Sequence, residues 1–263
     1  MRVAAYQFDV RREDVATNLA AARRGVEEAA RAGVRLVVLP EMWPTSFPSS
    51  AEHAPALVQP SLEAVEELAR FAGTLGVAVG GSAFAESSFE RPFNRLHLLV
   101  DGVDLLGYDK LHLFSPTGEG LAFRGGESLP RVVEWSGVRI GGAICYDLRF
   151  ARVTEALAGG LADLVIVPAQ WPIPRIAHWR ALLGGRAVET QAFYLGANRV
   201  GEEPLGRRRT LEFSGGSSLV GPDGVVRAEL TGESGLVIGD VDVAEVARMR
   251  RAVPVRRDRR TDV

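Results

Sequence analysis

Three polar side chains stand directly after apolar, strand-like stretches of the sequence. Glu41 follows residues 34–39 and Pro40, Lys110 follows 103–108, and Cys145 follows 138–144. A carboxylate, an ammonium and a thiol in one place make a covalent catalyst. The thiol attacks an electrophilic carbon, the carboxylate takes the thiol proton, and the ammonium receives the negative charge that develops. An ordinary thiol, with a pKa of about 8.5, is only a few per cent thiolate at neutral pH and needs such a base or cation. Each residue also has a plain structural reading. A strand end meets solvent, and a lone cysteine is commonly buried packing.

Cys145 is the sole cysteine of the 263 residues, so an intramolecular disulfide and a cysteine-rich metal site are both excluded. It sits in Ile140-Gly141-Gly142-Ala143-Ile144-Cys145-Tyr146-Asp147-Leu148-Arg149. There an apolar strand turns sharply toward a helix, the arrangement of a nucleophile elbow. The polar flanks Asp147 and Arg149 weigh against an inert core position. None of the four histidines reads as the base of a cysteine–histidine pair: His53 falls in a loop, His97 in a strand, and His112 and His178 are structural or face a substrate. There is no P-loop, no GxGxxG and no metal-ligand spacing, so no cofactor or metal is expected.

The elements that must carry these residues alternate. Residues 3–8 read as a strand, and 14–32 as a helix with Val15, Leu19, Ala22, Val26 and Ala30 on one face, ended by Gly33. Residues 34–39 form a strand covered on both faces, 62–74 an amphipathic helix and 77–84 a strand. Residues 95–100 and 103–108 form a hairpin about Asp101-Gly102. Residues 131–135 and the strand 138–144 follow, with a helix starting near Arg149. Strand 164–167, helix 176–191, strand 193–198 and a hairpin about Gly221-Pro222-Asp223-Gly224 complete the alternation. This pattern, without repeats or low-complexity linkers, predicts one α/β domain over 1–263. The arginine-rich tail from about 246 reads as a solvated or subunit-facing extension.

The formal charge of −2 gives no reason to expect a nucleic-acid partner. No apolar run reaches the roughly 18 residues of a membrane span, and the N-terminal stretch lacks the apolar region of a secretory signal. A cytoplasmic location and a small-molecule substrate are the expectations.

Three ordered motifs, Val37-Val38-Leu39-Pro40-Glu41, Asp109-Lys110-Leu111-His112-Leu113-Phe114 and Gly142-Ala143-Ile144-Cys145-Tyr146-Asp147-Leu148-Arg149-Phe150, resemble the nitrilase-superfamily carbon-nitrogen hydrolases over nearly the whole chain. Gly118-Glu119, Gln170-Trp171-Pro172-Ile173-Pro174-Arg175 and His178-Trp179-Arg180-Ala181-Leu182-Leu183 are similar to the omega-amidase branch, which acts on 2-oxo acid monoamides. The segment at 170 has Gln-Trp-Pro where some relatives have Asn-Trp-Pro.

The resemblance implies a four-layer α-β-β-α sandwich assembled as a homodimer or larger homo-oligomer. It implies Glu41 as general base, Cys145 as nucleophile, Lys110 as the cation at the tetrahedral intermediate, Glu119 as an additional active-site carboxylate and the Tyr146 backbone N–H as an oxyanion donor. Arg149 and Arg175 are candidates to hold a distal carboxylate. Trp43, Trp171 and Phe150 are candidate apolar walls, and Arg186 and Glu189 a structural pair. Three other readings stay open: an amidase for carbamoyl, dipeptide-like or aliphatic amides, a non-catalytic binding protein of the same fold, and a thiol redox sensor.

Overall fold

The computed structural model describes residues 1–87, 90–205 and 209–260. The first half supplies strands β1 (Arg2–Gln7), β2 (Leu36–Val38), β3 (Ala78–Ala85), β4 (Phe93–Val100), β5 (Val103–Asp104) and β6 (Tyr108–Asp109). The second half supplies β7 (Val133–Trp135), β8 (Val138–Gly142), β9 (Leu164–Pro168), β10 (Phe193–Ala197), β11 (Val200–Leu205), β12 (Arg209–Val220) and β13 (Val226–Thr231), and β14 (Gly235–Asp240) follows. The principal helices are α1 (Val15–Arg31), α2 (Ala54–Thr74), α3 (Glu119–Ala122), α4 (Ala151–Gly159), α5 (Ile176–Thr190) and α6 (Val243–Ala252).

Two mixed sheets lie face to face. The first runs β14-β1-β2-β3-β4-β5, with β6 also on β4, and the second β11-β12-β10-β9-β8-β7, with β13 on β12. Strands β1, β2 and β3 are parallel to one another, as are β8, β9 and β10. Parallel strands covered on both faces read as continuous apolar runs, and Leu36, Val37 and Val38, like Leu164 to Val167, are fully buried. One core fills the space between the sheets and beneath α5, and a second lies between the first sheet and α1 and α2. The result is the α-β-β-α sandwich.

Several local expectations shift. Helix α1 starts after Asp14, whose carboxylate accepts from the Thr17 N–H, and Gly33 beyond its end takes a left-handed φ of 71°. Helix α2 begins at Ala54 rather than at 62 and contains Pro60; its apolar periodicity is plain only after that proline. The strand expected over 103–108 is broken in two. The Asp104 carboxylate accepts from the backbone N–H groups of Leu98, Leu106 and Gly107 and from His97 Nδ1 at 2.8 Å, diverting donors a ladder would use. The tail is corrected at its start. Residues 243–252 form α6, which buries Val246 and sends Arg250 to Asp163 at 3.1 Å and to the Ala162 carbonyl at 2.6 Å. No helix among the described residues is long and apolar enough to cross a membrane.

Candidate active site

Strands β2, β8 and β9 end on one side of the molecule, and the segments leaving them meet there, as ligand sites of α/β sheets do. Glu41 lies three residues past β2, and its N–H points at the Ala169 carbonyl beyond β9. Lys110 directly follows β6, and its N–H bonds the Asn94 carbonyl at 2.9 Å. Its ammonium donates to Glu41 Oε1 at 2.7 Å and to both oxygens of Glu119 at 2.8 Å. A turn at residues 115–117 and the left-handed Gly118, φ 75°, return the chain so that Glu119 reaches a lysine nine positions earlier. The Glu119 carboxylate also accepts from the Phe114 N–H at 2.6 Å.

Cys145 follows β8 with a φ of 45°. Such a left-handed conformation costs a non-glycine residue about 1–3 kcal/mol and must be held by its surroundings. Asp147, fully buried, does much of the holding. Its carboxylate accepts from the Ile144 N–H, from Tyr108 Oη at 2.8 Å, and from the N–H and Nδ1 of His112 at 3.0 and 2.8 Å. The lysine segment and the cysteine turn are thus tied to one carboxylate. His112 and Phe150 stack at 3.6 Å beside it, which gives His112 a structural place and keeps Phe150 off the cavity wall.

Glu41, Lys110, Glu119, Cys145, Tyr146, Arg149, Trp171 and Arg175 all line one cavity of about 560 Å³. Trp43, the other expected wall, is instead buried in the core beneath α1 and α2. Arg186 pairs with Glu189 at 2.7 Å, away from the cavity.

Burial pushes the Cys145 thiol well above its ordinary pKa, and the Glu41 charge adds to that; Lys110 and the Gln170 N–H act in the opposite direction without cancelling it. The resting thiol therefore keeps its proton at neutral pH. Attack by the sulfur requires a base at the moment of bond formation. Burial disfavours the Lys110 ammonium, but Glu119 and Glu41 outweigh it and raise its pKa, so it stays charged. Burial pushes the Glu119 carboxyl up, Lys110 draws it back, and Glu41 leaves it above the ordinary range.

Both Glu119 oxygens are engaged by Lys110. Glu41 Oε1 is shared by Lys110 and Asn94 Nδ2, whereas Oε2 accepts the Gln170 N–H at 3.1 Å, and the carboxylate acts on the Cys145 thiol. Geometry and electrostatics together make a set able to move one proton off sulfur and to neutralise an oxyanion.

Two guanidiniums at the mouth have no carboxylate partner among the described residues. Arg149 stacks 5.0 Å over Trp171 and bonds His178 Nδ1 at 3.1 Å, and Arg175 lies 5.5 Å over Phe114. Trp171 is fixed from behind: its N–H donates to Asn198 Oδ1 at 2.7 Å and its Nε1 to the Arg175 carbonyl at 2.8 Å.

Sequence reading missed Asn94, whose amide spans Glu41 at 2.9 Å and Glu119 at 3.4 Å; its strand also carries Arg95 and His97, so its polarity did not single it out. It also missed the wall contributed by Arg12 and by Glu203 and Phe213 of the β11–β12 hairpin.

The carbon-nitrogen hydrolase family matches residues 2–251. The chain is 30% identical to the 2-oxoglutaramate amidase of Bacillus subtilis (strain 168), covering 99% of this chain and 98% of that one. It is 33% identical to the omega-amidase YafV of Escherichia coli (strain K12), over 86% and 84% respectively. A solved amidase from Nesterenkonia sp. AN1 superposes with a TM-score of 0.85 at 31% identity, covering 98% and 96%; it carries the acetamide moiety of fluoroacetamide added covalently at its active-site cysteine. This chain belongs to the carbon-nitrogen hydrolase family. It is an amidase, a hydrolase of carbon–nitrogen bonds other than peptide bonds.

Proposed function

We propose that the protein hydrolyses the terminal amide of a small 2-oxo acid monoamide, 2-oxoglutaramate or 2-oxosuccinamate, to the dicarboxylate and ammonia. In this reading Glu41 takes the Cys145 proton as sulfur bonds to the amide carbon, and the carbonyl electrons move onto oxygen. Lys110 and the Tyr146 N–H receive that oxyanion, a kind of donor whose single removal costs about 3–4 kcal/mol elsewhere. Glu41 passes the proton to the nitrogen, the C–N bond breaks and ammonia leaves a thioester on Cys145. Glu41 then takes a proton from water, the hydroxyl adds to the thioester, and the sulfur leaves with that proton restored. Glu119 holds Lys110 in place throughout.

The observation that carries the substrate class is the pair of uncompensated guanidiniums, Arg149 and Arg175, on the wall of the cavity that holds Cys145. Guanidinium is matched to a carboxylate, and a charged hydrogen bond contributes about 1.5–3 kcal/mol. The cavity carboxylates are already paired: Glu41 and Glu119 with Lys110, and Glu203 with Arg12 and Arg199. A 2-ammonio group beside the distal carboxylate would find no anion to meet it. Glutamine should therefore be a poorer substrate than 2-oxoglutaramate. The Bacillus subtilis relative, a 2-oxoglutaramate amidase, supports the same class.

A short aliphatic amide is the second reading, favoured by the acetamide adduct of the Nesterenkonia protein. Ammonia release from 2-oxoglutaramate, 2-oxosuccinamate, glutamine and propionamide separates them. The 2-oxo amides should have the highest kcat/KM, and Arg149→Met should lower it about tenfold or more, chiefly through KM. Preference for propionamide would replace the first reading by the second.

A further inference from the structure

Glu41 is weakly held by the sheet that delivers it. Strand β2 ends at Val38, the Glu41 N–H reaches the Ala169 carbonyl only at 3.5 Å, and the next residue, Met42, is left-handed with a φ of 49°. Lys110 and Asn94 hold Oε1, and one further residue bonds both the other carboxylate oxygen and the carbonyl. The Gln170 N–H donates to Glu41 Oε2 at 3.1 Å, and Gln170 Nε2 donates to the Glu41 carbonyl at 2.9 Å.

The amide that makes the second bond is oriented from behind. Gln170 Oε1 accepts from Arg199 Nη1 at 3.0 Å and from Ser46 Oγ at 3.2 Å. The reverse orientation would set amide N–H against guanidinium and carbonyl against carbonyl, so the partners fix it. Arg199 is fully buried. It also donates to Glu203 Oε2 at 2.7 Å and to Asp9 Oδ1 at 3.0 Å, and it lies 4.6 Å over the Phe213 ring. Arg199 thus joins the β11–β12 hairpin, through Glu203, to Gln170 and from there to Glu41. A charged donor on Oε1 polarises the amide and strengthens its N–H toward the Glu41 carbonyl.

We infer that Gln170 is a positioning residue for Glu41, locked in its working orientation by the buried Arg199 guanidinium. This rests on the reading of Glu41 as the base for Cys145. The consequence is that a shift of the amide moves Glu41 relative to the sulfur, and small displacements of a reacting group can cost about a hundredfold in rate.

Alkylation of Cys145 by iodoacetamide reports on proton removal from sulfur without depending on which amide is the substrate. Rates would be followed across pH by intact mass for wild type, Glu41→Gln, Gln170→Met, Gln170→Asn, Arg199→Lys and Arg199→Met, with melting temperatures for all. Gln170→Met should alkylate about tenfold more slowly at neutral pH and need a higher pH to reach the wild-type rate. Gln170→Asn keeps an amide that is one methylene short of Glu41 and should behave alike. Arg199→Lys, which retains a donor to Oε1, should be faster than Arg199→Met. Folded Gln170 variants with the wild-type rate and pH profile, while Glu41→Gln is slow, would overturn the positioning role and leave the base intact. So would variants that lose only melting temperature with an unmoved profile. A wild-type profile in Glu41→Gln would instead remove the base assignment itself.

Discussion

At the scale of the residue, the site is one cation against two carboxylates and a thiol, all buried. The Lys110 ammonium is what makes that concentration of acidic groups tolerable, because a buried charge left without its partner costs about 3–5 kcal/mol. Lys110→Met should therefore destabilise the fold by about that amount at pH 7, measured by urea unfolding, besides removing activity. Its pKa is raised in the folded protein. The stabilisation it gives is thus complete below the unfolded lysine value of about 10.4 and is lost only as pH climbs through the folded one. The gap between wild type and variant should persist from neutral to mildly alkaline pH and narrow on acidification, as Glu119 takes up a proton.

The same scale shows what the residues alone conveyed. Glu41, Lys110, Cys145 and Glu119 were legible because each follows a readable strand or motif and because their chemistry is interdependent. Asn94 and the backing of Gln170 by Arg199 were not. Their significance is relational: an amide becomes part of a site only when the carboxylates it spans are seen beside it.

At the scale of the element, the site depends on how strands end. The cysteine turn is left-handed and pinned through Asp147, and the lysine segment is pinned to the same carboxylate. Upstream, the interrupted hairpin sets where β6 and Lys110 fall, and Asp104 sets the interruption. Burial pushes the Asp104 carboxyl up, but His97 and the N–H groups of Leu98 and Leu106 more than offset it, leaving its pKa below the ordinary value. With a depressed folded pKa, its stabilisation is present above the unfolded value of about 3.9 and is lost as pH falls through the folded one. Asp104→Ala should cost about 1–3 kcal/mol at pH 7, and the difference should shrink as the pH is lowered below about 4.

Composition hid other elements. Strand β11 reads Val-Gly-Glu-Glu-Pro-Leu, poor in β-formers, and its pairing with β12 defines it instead. Helix α6 carried a usable signal, Asp242 at the N-cap accepting from the Ala244 N–H and Glu245 three positions on, but the arginines that follow drew attention to charge rather than capping.

At the scale of the whole molecule, two sheets of parallel-stranded centre face each other so that Glu41 from one and Cys145 and Gln170 from the other open onto the same cavity. The alternation of strands and helices conveyed the fold class; the pairing of distant strands, such as β1 with β14, is set by tertiary register that no local pattern carries. The net charge of −2 supplies no general attraction for an anion. On the proposed reading, recruitment of a substrate carboxylate falls to the local field of Arg149 and Arg175. Salt screens such a field over about 8–10 Å at physiological strength and more tightly above it. KM for 2-oxoglutaramate should rise several-fold as ionic strength increases from about 0.01 to 1 M, while KM for propionamide stays nearly constant. Equal salt dependence for the two amides would place the recognition elsewhere.

All of this centres on a bond from the Cys145 sulfur to the acyl carbon of an amide. The direct measurement is intact-protein mass during turnover of 2-oxoglutaramate, quenched in acid, with ammonia followed in parallel. Wild type should gain the mass of the substrate less ammonia, located at Cys145, and Cys145→Ala, folded with an unchanged melting profile, should show neither adduct nor ammonia. Undiminished ammonia release from folded Cys145→Ala would contradict it.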